Sequence, residues 1–182
     1  ALREVLHESG VGVLALGEGD ELLQILIEAA RAEDGKEPGA LGTAHRVAYF
    51  DHLAQGRFML GVGASGIPGD WALFDVDGQN GEHREMTREA LEIMLKVWTE
   101  DKPWEFRGKY WNANGIAPMF EGLMKRHIKP FQAPHPPIGV TGFSAGSETL
   151  KLAGERGYLP MSLDLNTEYV ASPWDAVLEG AA

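Results

Sequence analysis

The stretch Ile138-Gly-Val-Thr-Gly-Phe-Ser-Ala-Gly-Ser-Glu-Thr-Leu150 decides the fold. Ile138 to Thr141 is short, apolar and β-branched in part, which predicts a buried strand. The glycines and serine that follow are turn residues, and Ser147-Glu-Thr is a strong helix start. Strand, glycine-rich turn and helix in this order make a βα unit whose helix N-terminus faces the space beyond the strand end. The first-turn N–H groups of such a helix have no partner within it and carry the positive end of its dipole. An anion is therefore at home there. Glycine lets the backbone approach a phosphate closely, and Ser144, Ser147 and Thr149 each offer a hydroxyl donor. A plain helix cap uses the same residues, and local chemistry alone leaves both readings open.

Working outward, Phe58-Met-Leu-Gly-Val62 predicts a second buried strand of the parallel-sheet kind. A helix precedes it, with Val47, Phe50, Leu53 and Ala54 on one face and Gln55-Gly56 as its stop. From Gly63 to Gly81 the chain reads as a long glycine-rich loop. His83 to Thr99 is the strongest helix, with Met86, Ala90, Ile93, Met94 and Val97 along one side, and Pro103 follows its end. Trp104–Arg107 and Lys109–Trp111 flank Gly108 and predict a hairpin, whereas 114–135 reads as irregular. Beyond the decisive stretch, the helix closes at Gly157, Leu159–Leu163 is a further strand, and Thr167 or Ser172 starts a last helix. Residues 1–44 give a short helix with Leu2, Val5 and Leu6 as its apolar face, a strand at Val11–Leu16, a helix from Asp20 and a loop at Lys36–Gly42, the best internal seam. Strands alternating with helices predict parallel βα units. Strands 58–62 and 137–141 should share one parallel sheet, with helix 83–99 outside it.

Composition sets the limits. The chain has 182 residues, 44% of them hydrophobic and 24% charged, which is ordinary globular material for one core. A formal net charge of −11 argues against nucleic acid and anionic membranes as partners. With no cysteine, disulfides, thiolate nucleophiles and Cys-zinc sites are excluded. No run approaches ~20 apolar residues, and no signal-peptide pattern opens the sequence, so a cytoplasmic setting is expected.

Several motifs resolve toward structural roles. Gly61-Val-Gly-Ala-Ser-Gly66 has the dinucleotide spacing, but Ile67-Pro-Gly-Asp70 gives no convincing helix to receive a pyrophosphate. A flexible strand-end loop that lets a flat ligand lie against backbone suits it better. The six histidines show no metal-ligand spacing, and His45 and His83 read as helix-start residues with a surface role or a capping contact. No G-x-S-x-G elbow is present, so hydrolase chemistry has no seed. Arg84 is the better candidate for a phosphate contact, and Arg88 reads as solvated surface charge. Trp71, Trp104 and Trp111 read as packing residues before stacking platforms.

Taken together, the segments resemble a known family. Arg46-Val-Ala-Tyr-Phe-Asp-His-Leu-Ala-Gln-Gly-Arg-Phe58 with Met59-Leu-Gly-Val-Gly63 is similar to the helix-to-strand signature of bacterial luciferase-like, flavin-dependent monooxygenases. His83-Arg-Glu-Met86 and Glu89-Ala-Leu-Glu-Ile-Met-Leu-Lys-Val-Trp-Thr99 resemble the helix that follows. Phe106-Arg-Gly-Lys-Tyr-Trp111, Pro134-His-Pro-Pro-Ile138 and Ser147-Glu-Thr-Leu-Lys-Leu-Ala153 then come in the family's order. Within it the limonene- and alkane-type monooxygenases look nearest. The resemblance covers about 45–180, which divides the chain into a non-matching segment 1–44 and a domain 45–182.

The resemblance implies an α/β fold, a partial (β/α)8 TIM-barrel of luciferase-like type with missing or rearranged N-terminal strands. It implies reduced FMN supplied by a flavin reductase, O2, a small organic substrate and a homodimer. Carried over by position, the turn Gly142 to Thr149, with Ser144, Gly146, Ser147, Glu148 and Thr149, would hold the FMN phosphate, with Arg84 as cationic partner and Thr141 as a further cofactor-binding residue. Gly63, Ala64 and Ser65 would border the flavin, although Ala64 or Ser65 replaces a basic residue of some members. The resemblance assigns no catalytic residue and no metal. A complete barrel runs to roughly 250 residues, so the expectation is an incomplete copy. The alternatives are a non-catalytic fragment and an oxidoreductase using the deazaflavin F420.

Overall fold

The computed structural model describes residues 4–5, 11–15, 39–73, 75–122, 127–142, 146–161 and 167–182. Two short strands open it, β1 (Glu4–Val5) and β2 (Val11–Ala15); β1 lies where the sequence reads as a short helix, because pairing with Val13 and Leu14 of β2 sets its backbone. Helix α1 (Gly39–Leu53) leads into β3 (Leu60–Ala64), a short helix α2 (Pro68–Leu73) and the long helix α3 (Glu82–Thr99). The hairpin β4 (Trp104–Arg107) and β5 (Asn112–Gly115) follows. Then come β6 (Ile138–Thr141), α4 (Glu148–Arg156), β7 (Leu159–Met161) and α5 (Thr167–Ala181).

The main sheet has the order β1-β2-β3-β6-β7. Its β3, β6 and β7 are parallel, with Leu60 opposite Ile138 and Val140 opposite Pro160. This is the parallel pairing expected of strands 58–62 and 137–141, and α3 packs against β3 as expected. Leu60, Gly61 and Val62 are all buried, as are Ile138, Gly139 and Val140. Burial on both strand faces explains why these segments read as unbroken apolar runs.

The other half of the sheet departs from all-parallel order. β2 runs antiparallel to β3, with Val13 opposite Val62, and β1 pairs antiparallel with β2. Three parallel strands thus form an arc of a βα barrel, and an antiparallel hairpin lies where a barrel would place a parallel neighbour of β3. Sequence alternation of helix and strand carries no information on this pairing, which tertiary packing sets.

Helix α1 begins at Gly39, inside the stretch read as loop, because Ala40, Thr43, Ala44, Val47 and Ala48 form a buried stripe that outweighs the helix cost of Gly42. It packs on α3 through Val47, Phe50, Ile93, Met94 and Val97, and the Trp98 indole donates to the Ala44 carbonyl at 2.9 Å. α4 and α5 cross closely at Gly154 and Gly180. Among the described residues no helix is long and apolar enough to cross a membrane.

Candidate functional site

The C-terminal ends of β3, β6 and β7 come together. A Cβ on Gly63 would lie 3.0 Å from the Thr141 hydroxyl, which makes the two residues direct neighbours across the strand ends. Gly142 donates its N–H to the Met161 carbonyl at 3.3 Å, extending the β6–β7 ladder by one bond. The start of α4 presses on this strand end. A Cβ on Gly142 would meet Leu150 Cγ at 2.5 Å and Ser147 Oγ at 2.8 Å, so only glycine lets helix and strand approach this far.

Ser147 is the N-cap of α4, and its carbonyl accepts the N–H of Leu150 and of Lys151, each at 3.0 Å. Its side chain makes no capping hydrogen bond. The N–H groups of Glu148 and Thr149 likewise have no hydrogen-bond partner among the described residues. Among the described residues this is a helix start with open donors and an uncommitted hydroxyl, set against a glycine whose Cβ would collide with Leu150 and Ser147. Those are the features a phosphate needs, and the residues present fit one. Gly146 adopts a positive φ of 72° just before the cap, the left-handed region glycine occupies without strain. Glu148 is exposed and lies 3.7 Å from Lys151, whose ammonium is held above its ordinary pKa chiefly by Glu179. Ser144 lies outside the described residues.

Ala64 and Ser65 follow Gly63 at the end of β3, both half-buried. Ser65 Oγ accepts the Ile67 N–H at 3.2 Å, and its carbonyl accepts the Trp71 indole N–H at 2.8 Å. A helix does follow Gly66, contrary to the sequence reading, since α2 starts at Pro68 with its favourable fixed φ. Its 6 residues are too few to show a period. Trp71 lies over Gly78 and against the ring of His83, at 4.9 Å between centroids.

His83 is buried beneath Trp71, which corrects the surface reading. Burial, with Arg84 beside it, holds its pKa below the ordinary histidine value. Arg84 itself is exposed on the first turn of α3, and among the described residues no hydrogen bond or ion pair ties it to 142–149. The guanidinium nearer α4 is Arg88, which lines a groove of about 280 Å³ with Leu91, Glu148, Leu152, Arg156 and Tyr158.

Sequence reasoning missed two polar anchors. Asp51 is fully buried, and its carboxylate accepts both the backbone and side-chain N–H of Gln132, each at 2.7 Å. His45 and His127, far apart in sequence, meet ring to ring with nitrogens 2.8 Å apart. A long-range contact of this kind leaves no spacing signal.

Residues 40–182 match the sequence model of the luciferase-like monooxygenases. The chain belongs to that family. A relative, 3,6-diketocamphane 1,6-monooxygenase of Pseudomonas putida, is 31% identical over 163 residues, covering 80% of this chain and 42% of the relative. The solved oxygenating constituent of 3,6-diketocamphane monooxygenase from the CAM plasmid of Pseudomonas putida is a type II Baeyer–Villiger monooxygenase in complex with FMN. It superposes with a TM-score of 0.68 at 30% identity, covering 78% of this chain and 40% of that one. An F420-dependent secondary alcohol dehydrogenase in complex with an F420-acetone adduct has a TM-score of 0.57 at 22% identity, again over 78% of this chain and 40% of the other, and shares the fold. The luciferase-like chain described here is thus an α/β partial barrel spanning about two-fifths of the length of these relatives.

Proposed function

We propose that this chain serves a flavin-dependent monooxygenase that uses reduced FMN and O2 to oxygenate a small organic substrate. The observation that carries the reading is the start of α4 against the end of β6, where Gly142 admits Ser147 and the Glu148 and Thr149 N–H groups have no partner among the described residues. Family membership and the FMN-bound relative support it from outside the site.

In this reading the Glu148 and Thr149 amides hold the phosphate, with the hydroxyls of Ser144, Ser147 and Thr149 as further donors and Gly146 giving clearance. Gly63, Ala64 and Ser65 border the flat ring system, and Thr141 and Gly142 complete the strand-end surface beside the phosphate. Arg84 adds positive charge from the first turn of α3. When bound there, reduced flavin would supply the electrons that activate O2, and these residues would position it while the amides, hydroxyls and Arg84 hold its phosphate. A separate flavin reductase, a homodimer and a cytoplasmic setting complete the proposal.

The test is titration of the purified chain with FMN, followed by O2 uptake with reduced FMN. Tight FMN binding with O2 consumption coupled to an organic acceptor supports the oxygenase. Binding without coupled consumption supports a non-catalytic flavin-binding chain. Preference for F420 over FMN supports the second reading, which the shared fold with the F420-dependent dehydrogenase favours.

A further inference from the structure

We propose that Trp71 and His83 form a proton-sensitive latch that holds residues 65–73 against the C-terminal end of β3 and releases them on acidification. The latch has two ties. The Trp71 indole N–H donates to the Ser65 carbonyl at 2.8 Å, which fastens α2 to the residue that leaves β3. The indole also contacts the ring of His83, 4.9 Å away and tilted by 33°, and the backbone of Gly78, where a Cβ would lie 1.9 Å from the indole. The Trp71 carbonyl also accepts the Val76 N–H at 2.9 Å, so the following turn closes onto the same residue.

His83 is 3% exposed, and among the described residues its buried Nδ1 has no hydrogen-bond partner. A neutral ring tolerates this by leaving that nitrogen unprotonated. An imidazolium donates from both nitrogens, so protonation would bury an unpaired N–H. The cation beside the ring acts the same way. Arg84, next to it on α3, opposes a second positive charge. On the turn beneath Trp71, Asp77 accepts from Asn80, and Glu82 accepts the Asp77 N–H at 2.7 Å, so both carboxylates are engaged with the turn itself. Asp75 is exposed. Glu85, on α3, is paired with Lys109 and Tyr110.

The sign follows from linkage. Burial first and Arg84 second lower the pKa of His83 in the closed form below the ordinary value of 6.5. The open form therefore binds the proton more readily. Closure keeps its full strength above the ordinary value and weakens as pH falls from there to the lowered one.

The inference does not depend on the flavin reading, because its test uses the full chain with no flavin present. Backbone amide exchange of peptides spanning 65–82, corrected for intrinsic rate, is compared at about pH 7.5 and about pH 5, across the histidine range. The His83 ring is titrated by NMR in the same samples. The latch predicts a His83 pKa below the ordinary value and a several-fold loss of protection in 65–82 at the lower pH. Protection in 91–99 of α3 should not change. His83→Phe keeps an aromatic ring but cannot titrate, and should flatten the pH response. Equal protection at both pH values in the unmodified protein overturns the proposal. So does a His83 pKa at or above the ordinary value, the result expected if the indole face stabilised the imidazolium. Should His83→Phe not fold, the titration and exchange of the unmodified chain decide alone.

Discussion

The Glu89 carboxylate accepts the backbone N–H of Lys109 at 2.7 Å, and so fastens the turn of the β4–β5 hairpin to the side of α3. The N–H groups of Tyr110 and Trp111 reach the same carboxylate at 3.0 and 3.3 Å. A Cβ on Gly108 would fall 2.2 Å from Glu89 Oε2, so this approach needs glycine. The family-like run Phe106-Arg-Gly-Lys-Tyr-Trp111 is thereby explained as a receptor for one carboxylate. It also explains why the second hairpin strand starts at Asn112 and not at Lys109, since N–H groups bound to Glu89 cannot join a ladder.

Glu89→Ala should lower stability by about 2 kcal/mol, because it leaves the half-sheltered N–H groups of Tyr110 and Trp111, and the exposed one of Lys109, without a charged acceptor. Glu89→Gln, which keeps one carbonyl oxygen, should recover part of this. Urea unfolding of both variants checks the order. Equal midpoints for Glu89→Ala and the parent chain would remove the carboxylate from any structural role.

Asp51 does comparable work at the end of α1. Its buried carboxylate holds Gln132, whose side-chain amide also reaches the Phe58 carbonyl at 2.8 Å, so residues 127–137 are fixed just before they enter β6. Asp51→Ala should cost about 2–3 kcal/mol through the donors it orphans. The accompanying sign is loss of protection in peptides covering 127–137 ahead of global unfolding. A change confined to α1 would show that the contact anchors nothing beyond it.

Gly154 and Gly180 set up a contest between two known effects. Alanine in a helix interior gains about 1 kcal/mol over glycine. Here, however, a Cβ on Gly154 would lie 2.0 Å from the Val177 carbonyl oxygen, and one on Gly180 would lie 2.0 Å from that of Lys151. Both obstacles are backbone, which cannot rotate aside, and overpacking costs about 1–3 kcal/mol or more. Gly154→Ala should therefore destabilise, as read from the denaturation midpoint. A stabilised variant would show that α5 sits farther from α4.

The parallel core of the fold was legible because its signals are local. Ile138–Thr141 and Phe58–Val62 are apolar enough to declare burial on both faces. Helix α3 was expected at His83–Thr99 and spans Glu82–Thr99, since its stripe repeats over several turns. What the sequence hid was decided by partners far along the chain. The carboxylate of Asp51 looks like any exposed helix acid until Gln132 arrives over it. His83 looks like a surface residue until Trp71 folds back across it. The antiparallel pairing of β2 with β3 was equally hidden, because Val11–Ala15 has no feature that distinguishes one strand direction from the other. At the site, Gly142, Gly146 and Ser147 were recognisable from turn and cap chemistry, but nothing local indicated which arginine, Arg84 or Arg88, lies nearer α4.

The start of α4 offers the sharpest test of the cofactor reading. Ser147 and Thr149 together would give a phosphate two hydroxyl donors, and hydrogen bonds to a charged group are worth about 1.5–3 kcal/mol each. Replacing both by alanine should weaken FMN binding at least about tenfold, since 1.4 kcal/mol already corresponds to that factor. The usual objection is that removing an N-cap serine damages the helix. It carries little weight here, because the Ser147 side chain makes no capping hydrogen bond and its carbonyl, which holds Leu150 and Lys151, remains in the variant. Riboflavin, which lacks the phosphate, provides the control and should bind the double variant as it binds the parent. Equal loss for both ligands would mean that the strand end beneath Gly142 had been disturbed. Undiminished FMN binding would place the phosphate elsewhere, and the groove lined by Arg88 and Arg156 would be the next position to examine.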